Sequence, residues 1–180
     1  MNKAVFLDRD GTINIEKNYL HKIDEFEYLP GAVEGLKRIY DMGYLLIIVT
    51  NQSGIARGYY SEEDFYRLNE WMISDLDTKG IKISKVYYCP HHPDAIVTRY
   101  KCSCNCRKPS TGMFWQAQRE FDIDMSKSYV IGDKLRDVSI CKEALIQGIL
   151  LGDTEENFEG IITCTDWKEI IQKCFCKAET

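Results

Sequence analysis

At 180 residues and 20.9 kDa, with 44% hydrophobic and 28% charged residues, the chain has the dimensions of one globular domain over residues 1–180. Its net charge of −5 excludes a general electrostatic footprint for nucleic acid or an anionic membrane, so an anionic substrate has to be held by local cations. No apolar run approaches the about 18 residues of a membrane span, and Asp8 and Asp10 interrupt any signal-peptide pattern. The expectation is a cytoplasmic monomer with neither membrane nor nucleic-acid partner.

The first predicted element is a strand over residues 3–7, whose apolar run reads straight into Asp8, Arg9, Asp10 and Gly11. Side chains at i and i+2 of an extended segment share a face, so Asp8 and Asp10 can address one point while Arg9 turns away. Two carboxylates that close repel by about 1 kcal/mol or more unless a cation lies between them. A polar stretch over 13–28 ends at Leu29-Pro30-Gly31, which opens a helix with Val33, Leu36 and Ile39 or Tyr40 on one face and Gly43 as its stop. A second apolar strand over 45–49 ends in Thr50, Asn51, Gln52 and Ser53. The next helix starts at Ser61 with Asp64 in a capping box and aligns Phe65, Leu68, Met72, Ile73 and Leu76, closing at Gly80.

A third strand over 84–88 leads into a cysteine-rich loop over 89–108, and Pro109 precedes a helix carrying Phe114, Ala117 and Phe121. The fourth strand, 128–131, ends in Gly132, Asp133 and Lys134. Its helix is expected to align Val138, Cys141 and Leu145, followed by a fifth strand over 148–151 and an edge strand at Ile161-Ile162. A last helix begins near Asp166 with Trp167, Ile170, Ile171, Cys174 and Phe175 on one face, and the tail after Phe175 is expected to fray. Strands alternating with helices predict an α/β fold, a doubly wound parallel sheet with no inserted cap domain. The segments 13–28 and 89–108 exceed ordinary connection lengths and are expected to be lids or binding loops.

Three strands thus end in polar groups, at Asp8 and Asp10, at Thr50 and Asn51, and at Asp133. They meet at one edge if the strands are neighbours. Asp8, Asp133 and a backbone carbonyl can supply oxygen ligands to Mg²⁺, while a lysine helps neutralise a phosphoryl group under attack by a carboxylate. Asp10, as general acid and then base, has to hold a proton at neutral pH. In the cysteine loop, Cys89, His91, Cys104 and Cys106 supply four ligands in two close pairs, the composition of a closed, structural zinc site, with Cys102 and His92 as nearby competitors. Cys141 and Cys174 read as core residues, as do Trp71, Trp115 and Trp167.

The stretch from Asp8 to Thr12, the strand into Thr50, Lys108, and Gly132-Asp133 with Asp137 resemble, in order, the four motifs of the haloacid dehalogenase-like phosphatases. The strings Thr50 to Gly58, Cys89 to Pro93 and Cys104 to Pro109 are similar to those of the D,D-heptose 1,7-bisphosphate phosphatases. That resemblance implies a Rossmann-like fold and removal of the 7-phosphate of D-glycero-D-manno-heptose 1,7-bisphosphate in nucleotide-activated heptose biosynthesis. It implies Asp8 as nucleophile, Asp10 as acid/base, Mg²⁺ on Asp8, the Asp10 carbonyl and Asp133, and the transferred phosphate on Thr50 and Lys108. Glu16, Lys17, Asn18, Tyr19, Asn51, Gln52, Ser53, Arg107 and Lys134 would reach the sugar phosphate. Zinc on Cys106 would fix Arg107 and Lys108, and Asp137 would position a helix. Histidinol-phosphate phosphatase is the nearest rival activity, and a non-catalytic zinc-stabilised binding module is the reading from another class.

Overall fold

The protein is described over residues 1–154 and 156–176 by a computed structural model. Six strands form: β1 Ala4–Leu7, β2 Leu45–Asn51, β3 Ile83–Cys89, β4 Tyr129–Gly132, β5 Gln147–Leu151 and β6 Ile161–Cys164. They make one parallel sheet in the order β3-β2-β1-β4-β5-β6. The five α-helices are α1 Ala32–Asp41, α2 Ser53–Ala56, α3 Glu62–Thr78, α4 Gly112–Phe121 and α5 Trp167–Cys174. The chain steps outward from β1 through β2 to β3, then returns to β4 on its other side. That reversal opens a crevice at the carboxyl ends of the central strands.

Alternation along β1 divides the core. Val5 and Leu7 pack with Leu36 and Ile39 of α1, Leu68 and Met72 of α3, and Trp167 and Ile170 of α5. Ala4 and Phe6 face the opposite layer, with Met113, Phe114 and Ala117 of α4. Burial on both faces is the reason the strands read as continuous apolar runs. A third cluster, Ile55, Ala56, Tyr60, Phe65, Ala95 and Tyr100, lies under the 89–108 loop. The capping box of α3 is formed: Ser61 Oγ accepts from Asp64 N at 3.1 Å and the Asp64 carboxylate accepts from Ser61 N at 2.9 Å.

Three expectations change. After Asp133 the chain makes a kinked 3-10 run, Leu135–Lys142, instead of an α-helix, and Leu145 is 85% exposed instead of facing the core. The backbone leaves helical geometry at Val138, so the helical spacing through Leu145 is not realised. Strands β2 and β3 extend to Asn51 and Cys89, so Thr50, Asn51 and the first cysteine of the loop stand in paired strands. The short helix α2 follows β2 directly, in a stretch whose Gln-Ser-Gly start reads as loop. Beyond Cys176, the tail expected to fray falls outside the described residues.

Candidate active site

Because β2, β1 and β4 are neighbours, Thr50, Asp8 and Asp133 emerge side by side. Two glycines let the acids close. Gly11 adopts φ +82°, and a Cβ there would lie 2.4 Å from Asp133 Oδ2; one at Gly132 would lie 2.2 Å from the Asp137 Cβ. Asp8, Asp133 and Asp137 offer carboxylate oxygens within 4.8 Å of one another. Asp137 is committed elsewhere, as described next, so Asp8 and Asp133 remain as hard oxygen donors suited to a divalent cation.

Lys108 is buried, and its ammonium has three partners: Asp8 Oδ1 at 2.8 Å, the Val49 carbonyl at 2.7 Å and Asp137 Oδ1 at 2.8 Å. Burial alone would push Lys108 down, but the charges of Asp8 and Asp137 outweigh it and hold the lysine above its ordinary value. Burial pushes the Asp8 carboxyl up to about 6, against the pull of Lys108 and with help from the Asp137 and Asp10 charges. Asp137 Oδ2 also accepts from Lys134 N at 2.9 Å, so one carboxylate caps the 3-10 run and braces the lysine.

Asp10 is surrounded by donors. Oδ1 accepts from Arg9 Nη2 at 3.1 Å and Asn14 Nδ2 at 3.0 Å, and Oδ2 from Arg9 Nη2 and Gln52 Nε2, each at 3.0 Å. Arg9, expected to turn away, instead places its guanidinium over the Phe65 ring of α3 at 5.7 Å and donates to Asp10 and, at 3.1 Å, to the Leu20 carbonyl. These contacts fix the orientation of the Asp10 carboxyl. Gln52 is buried, donates also to Thr50 Oγ1 at 3.0 Å, and accepts from the Tyr60 hydroxyl.

Above these groups lies a pocket of about 370 Å³, lined among others by Glu16, Asn18, Tyr19, Ser53, Arg107 and Lys134. Lys17 is not brought to it and pairs with Glu27. Lys134 Nζ lies 3.0 Å from Asp133 Oδ2. Arg57 and Arg136 join the rim, and burial together with these two guanidinium groups holds Arg107 below its ordinary value. Burial and the Asp10 charge push Glu16 up. Two aromatic contacts tie the loop over residues 16–21 to the segment after α2: Tyr19 against Tyr59 at 4.8 Å, and His21 stacked on Tyr60 at 5.0 Å.

At the end of β3, Cys89, His91, Cys104 and Cys106 converge. The sulfur separations are 3.1 Å for Cys89–Cys106, 3.2 Å for Cys104–Cys106 and 3.5 Å for Cys89–Cys104, with His91 Nδ1 3.4 Å from Cys106 Sγ and 3.7 Å from Cys89 Sγ. A tetrahedron with about 2.3 Å zinc–sulfur bonds has edges of about 3.8 Å, whereas a disulfide would require about 2.05 Å. The four residues can hold zinc. The competitors stand aside: His92 Nδ1 accepts from Asp94 N at 3.1 Å, and Cys102 is exposed.

A family model described as polynucleotide kinase 3 phosphatase matches residues 3–147. A D-glycero-beta-D-manno-heptose-1,7-bisphosphate 7-phosphatase of Photorhabdus laumondii is 54% identical over 143 residues, 79% of this chain and 76% of the relative. The chain belongs to the heptose-bisphosphate phosphatase family of the haloacid dehalogenase-like superfamily. It is likewise similar to a D-glycero-alpha-D-manno-heptose-1,7-bisphosphate 7-phosphatase of the same organism, at 49% identity over 152 residues, 84% of this chain and 83% of the relative. A solved structure of D,D-heptose 1,7-bisphosphate phosphatase from B. bronchiseptica, complexed with magnesium and phosphate, has a TM-score of 0.81. It is 28% identical and covers 94% of this chain and 96% of its own.

In this member of the heptose-bisphosphate phosphatase family, three residues of the site, Tyr60, Arg57 and Arg136, escape sequence reasoning. Asp137, expected to position a helix, does cap the 3-10 run through Lys134 N, and only its pairing with Lys108 has no local signature. Tyr60 sits between a glycine-containing loop and a helix cap, where no periodicity marks it. Arg57 and Arg136 look like ordinary surface cations; the available signal was that Arg57 falls inside the string Thr50 to Gly58 and that Arg136 follows Asp133 by three residues.

Proposed function

We propose that the chain is a Mg²⁺-dependent phosphatase that removes the 7-phosphate of D-glycero-D-manno-heptose 1,7-bisphosphate, a step toward nucleotide-activated heptose for lipopolysaccharide or another surface glycan. The observation that carries this reading is a buried carboxylate, Asp8, held 2.8 Å from a buried lysine beneath a pocket rimmed by Arg57, Arg107, Lys134 and Arg136, on a chain of net charge −5. A rim with four cations above one phosphoryl site suits a substrate with two phosphates. Relatives named for both anomers, at 54% and 49% identity, support the sugar.

Asp8 Oδ1 is engaged by Lys108, so Oδ2 is the oxygen free to attack phosphorus. As the Asp8 O–P bond forms, the P–O bond to the sugar breaks, and Asp10 delivers a proton to the departing oxygen. Asp10 then takes a proton from the water that hydrolyses the aspartyl phosphate. Lys108 and Thr50 hold the transferred phosphoryl oxygens, and Gln52 keeps Thr50 and Asp10 in fixed relation. Asp8, Asp133 and the Asp10 carbonyl would hold magnesium, which supplies positive charge to the phosphoryl group when bound. Zinc on Cys89, His91, Cys104 and Cys106 would be structural, since four protein ligands leave no open position. The same reading takes the enzyme as a cytoplasmic monomer, with four of its eight cysteines free for roles other than zinc.

The test is Mg²⁺-dependent phosphate release, as kcat/KM, from the α and β anomers of the heptose bisphosphate and from histidinol phosphate, with Asp8→Asn as blank. A preference of at least about 100-fold for one heptose anomer, about 2.7 kcal/mol of transition-state discrimination, is expected. Preference for histidinol phosphate would overturn the sugar assignment, and no release from any of them would overturn the phosphatase reading.

A further inference from the structure

Asn51 lines the pocket, but its side-chain amide is already occupied. Oδ1 accepts from Lys108 N at 3.0 Å and Nδ2 donates to the Lys108 carbonyl at 3.0 Å, so one amide satisfies both backbone groups of a residue 57 positions away. The amide thereby imitates the edge of a neighbouring strand. The backbone of Asn51 is meanwhile in register with Cys89 of β3, and Gln52 N donates to the Cys89 carbonyl at 2.8 Å. The end of β2 therefore grips both ends of the 89–108 loop, at Cys89 through the main chain and at Lys108 through the Asn51 side chain.

We propose that Asn51 is a positioning residue whose amide clamps the Lys108 peptide, so that order imposed on the loop by its Cys-His cluster reaches the phosphoryl site. The proposal rests on the phosphatase reading of Lys108. Cys106 stands two residues before Lys108. With Cys106 held at one end and the peptide held by Asn51 at the other, the backbone rotations between them are fixed, and the lysine enters the core at a set angle toward Val49 O, Asp8 and Asp137. Without the clamp, the Lys108 peptide loses both of its hydrogen-bond partners on β2, and the order of the cluster reaches the lysine more weakly. A pocket residue contacting only substrate would have no such connection to the loop.

The test measures orthophosphate binding by calorimetry in the presence of Mg²⁺, alongside zinc content and thermal unfolding, for the wild-type protein and Asn51→Ala, each with and without zinc. Asn51→Ala is expected to retain one zinc per chain and cooperative unfolding while binding orthophosphate roughly tenfold more weakly, the scale of two lost hydrogen bonds. Stripping zinc is expected to weaken the wild-type protein by a similar factor and to add little in Asn51→Ala, because both act through the Lys108 peptide. Should Asn51→Ala not refold, Asn51→Ser, too short to span both backbone groups, takes its place with the same expected readings. Wild-type affinity in the zinc-loaded variant overturns the proposal, as does an undiminished further loss on removing zinc from that variant. A wild-type protein that binds no orthophosphate overturns the phosphatase reading and this proposal with it.

Discussion

Replacing Asp137 by asparagine tests the charge balance under the pocket. In the native protein Lys108 stands between two carboxylates, each 2.8 Å away. At an effective dielectric constant of about 20, the Asp137 pair is worth about 6 kcal/mol in gross Coulomb energy. Removing one partner of a buried pair costs about 3–5 kcal/mol when the other charge is abandoned, but here Asp8 remains with the lysine, which reduces the expected loss to about 2–3 kcal/mol. The amide cannot repair the site. If its oxygen keeps the Lys134 N–H, its NH₂ faces the Lys108 ammonium. Urea unfolding should show the loss, equivalent to roughly 4–12 °C in Tm for a chain of this size. Loss of the Asp137 charge also removes one of the causes that raise Asp8, so the acid limb of kcat/KM should move to lower pH. An unchanged urea midpoint, or an acid limb displaced to higher pH, would refute the reasoning.

Asp8 supplies a second prediction. Its folded value of about 6 exceeds the ordinary 3.8, so the native protein holds the proton more tightly, and the penalty for ionising is absent below about pH 4 and complete above pH 6. In chelator, the wild-type protein should lose up to about 3 kcal/mol relative to Asp8→Asn as pH rises through that window, and Mg²⁺ should cancel the slope; parallel pH profiles for the two proteins would contradict this. Gly11→Ala places a Cβ 2.4 Å from Asp133 Oδ2 at φ +82°, and strain of about 1–3 kcal/mol should weaken Mg²⁺ activation about 10- to 100-fold, measured by metal titration of phosphate release. Trp167→Phe keeps an aromatic ring against Gly31 and Gly35 but removes the indole N–H that donates to the Thr12 carbonyl at 2.8 Å. Thermal unfolding should report a loss of about 1–3 kcal/mol, and a wild-type midpoint would show that carbonyl to be satisfied by other means.

What the sequence makes legible is local. Apolar runs locate the strands because both faces of the sheet are covered, and Ser61 with Asp64 locates a helix start because a cap is a four-residue event. The acids at strand ends are visible for the same reason, and the zinc cluster is visible through the chemistry of its residues. Contacts between distant segments are not. Lys108 meets Asp8 across 100 positions, and its partnership with Asp137 can be seen only once β4 lies beside β1. Leu145 shows the opposite failure: a helical spacing is present, but the backbone kinks at Val138 and the spacing is not used. Arg9 was expected to leave the site, and its side chain is long enough to return to Asp10, which spacing along a strand does not encode.

The Trp167 indole bridges to Thr12 across 155 positions, from outside the residues 3–147 shared with the family model. The turn that follows the two acids is therefore finished by a segment 155 positions downstream. A nascent chain that has emerged only as far as β6 carries Asp8, Asp10, Lys108 and Asp133 but not the brace under Thr12, which arrives when α5 docks on α1. Docking of α5 thus acts as a completion check on the turn beside the acids.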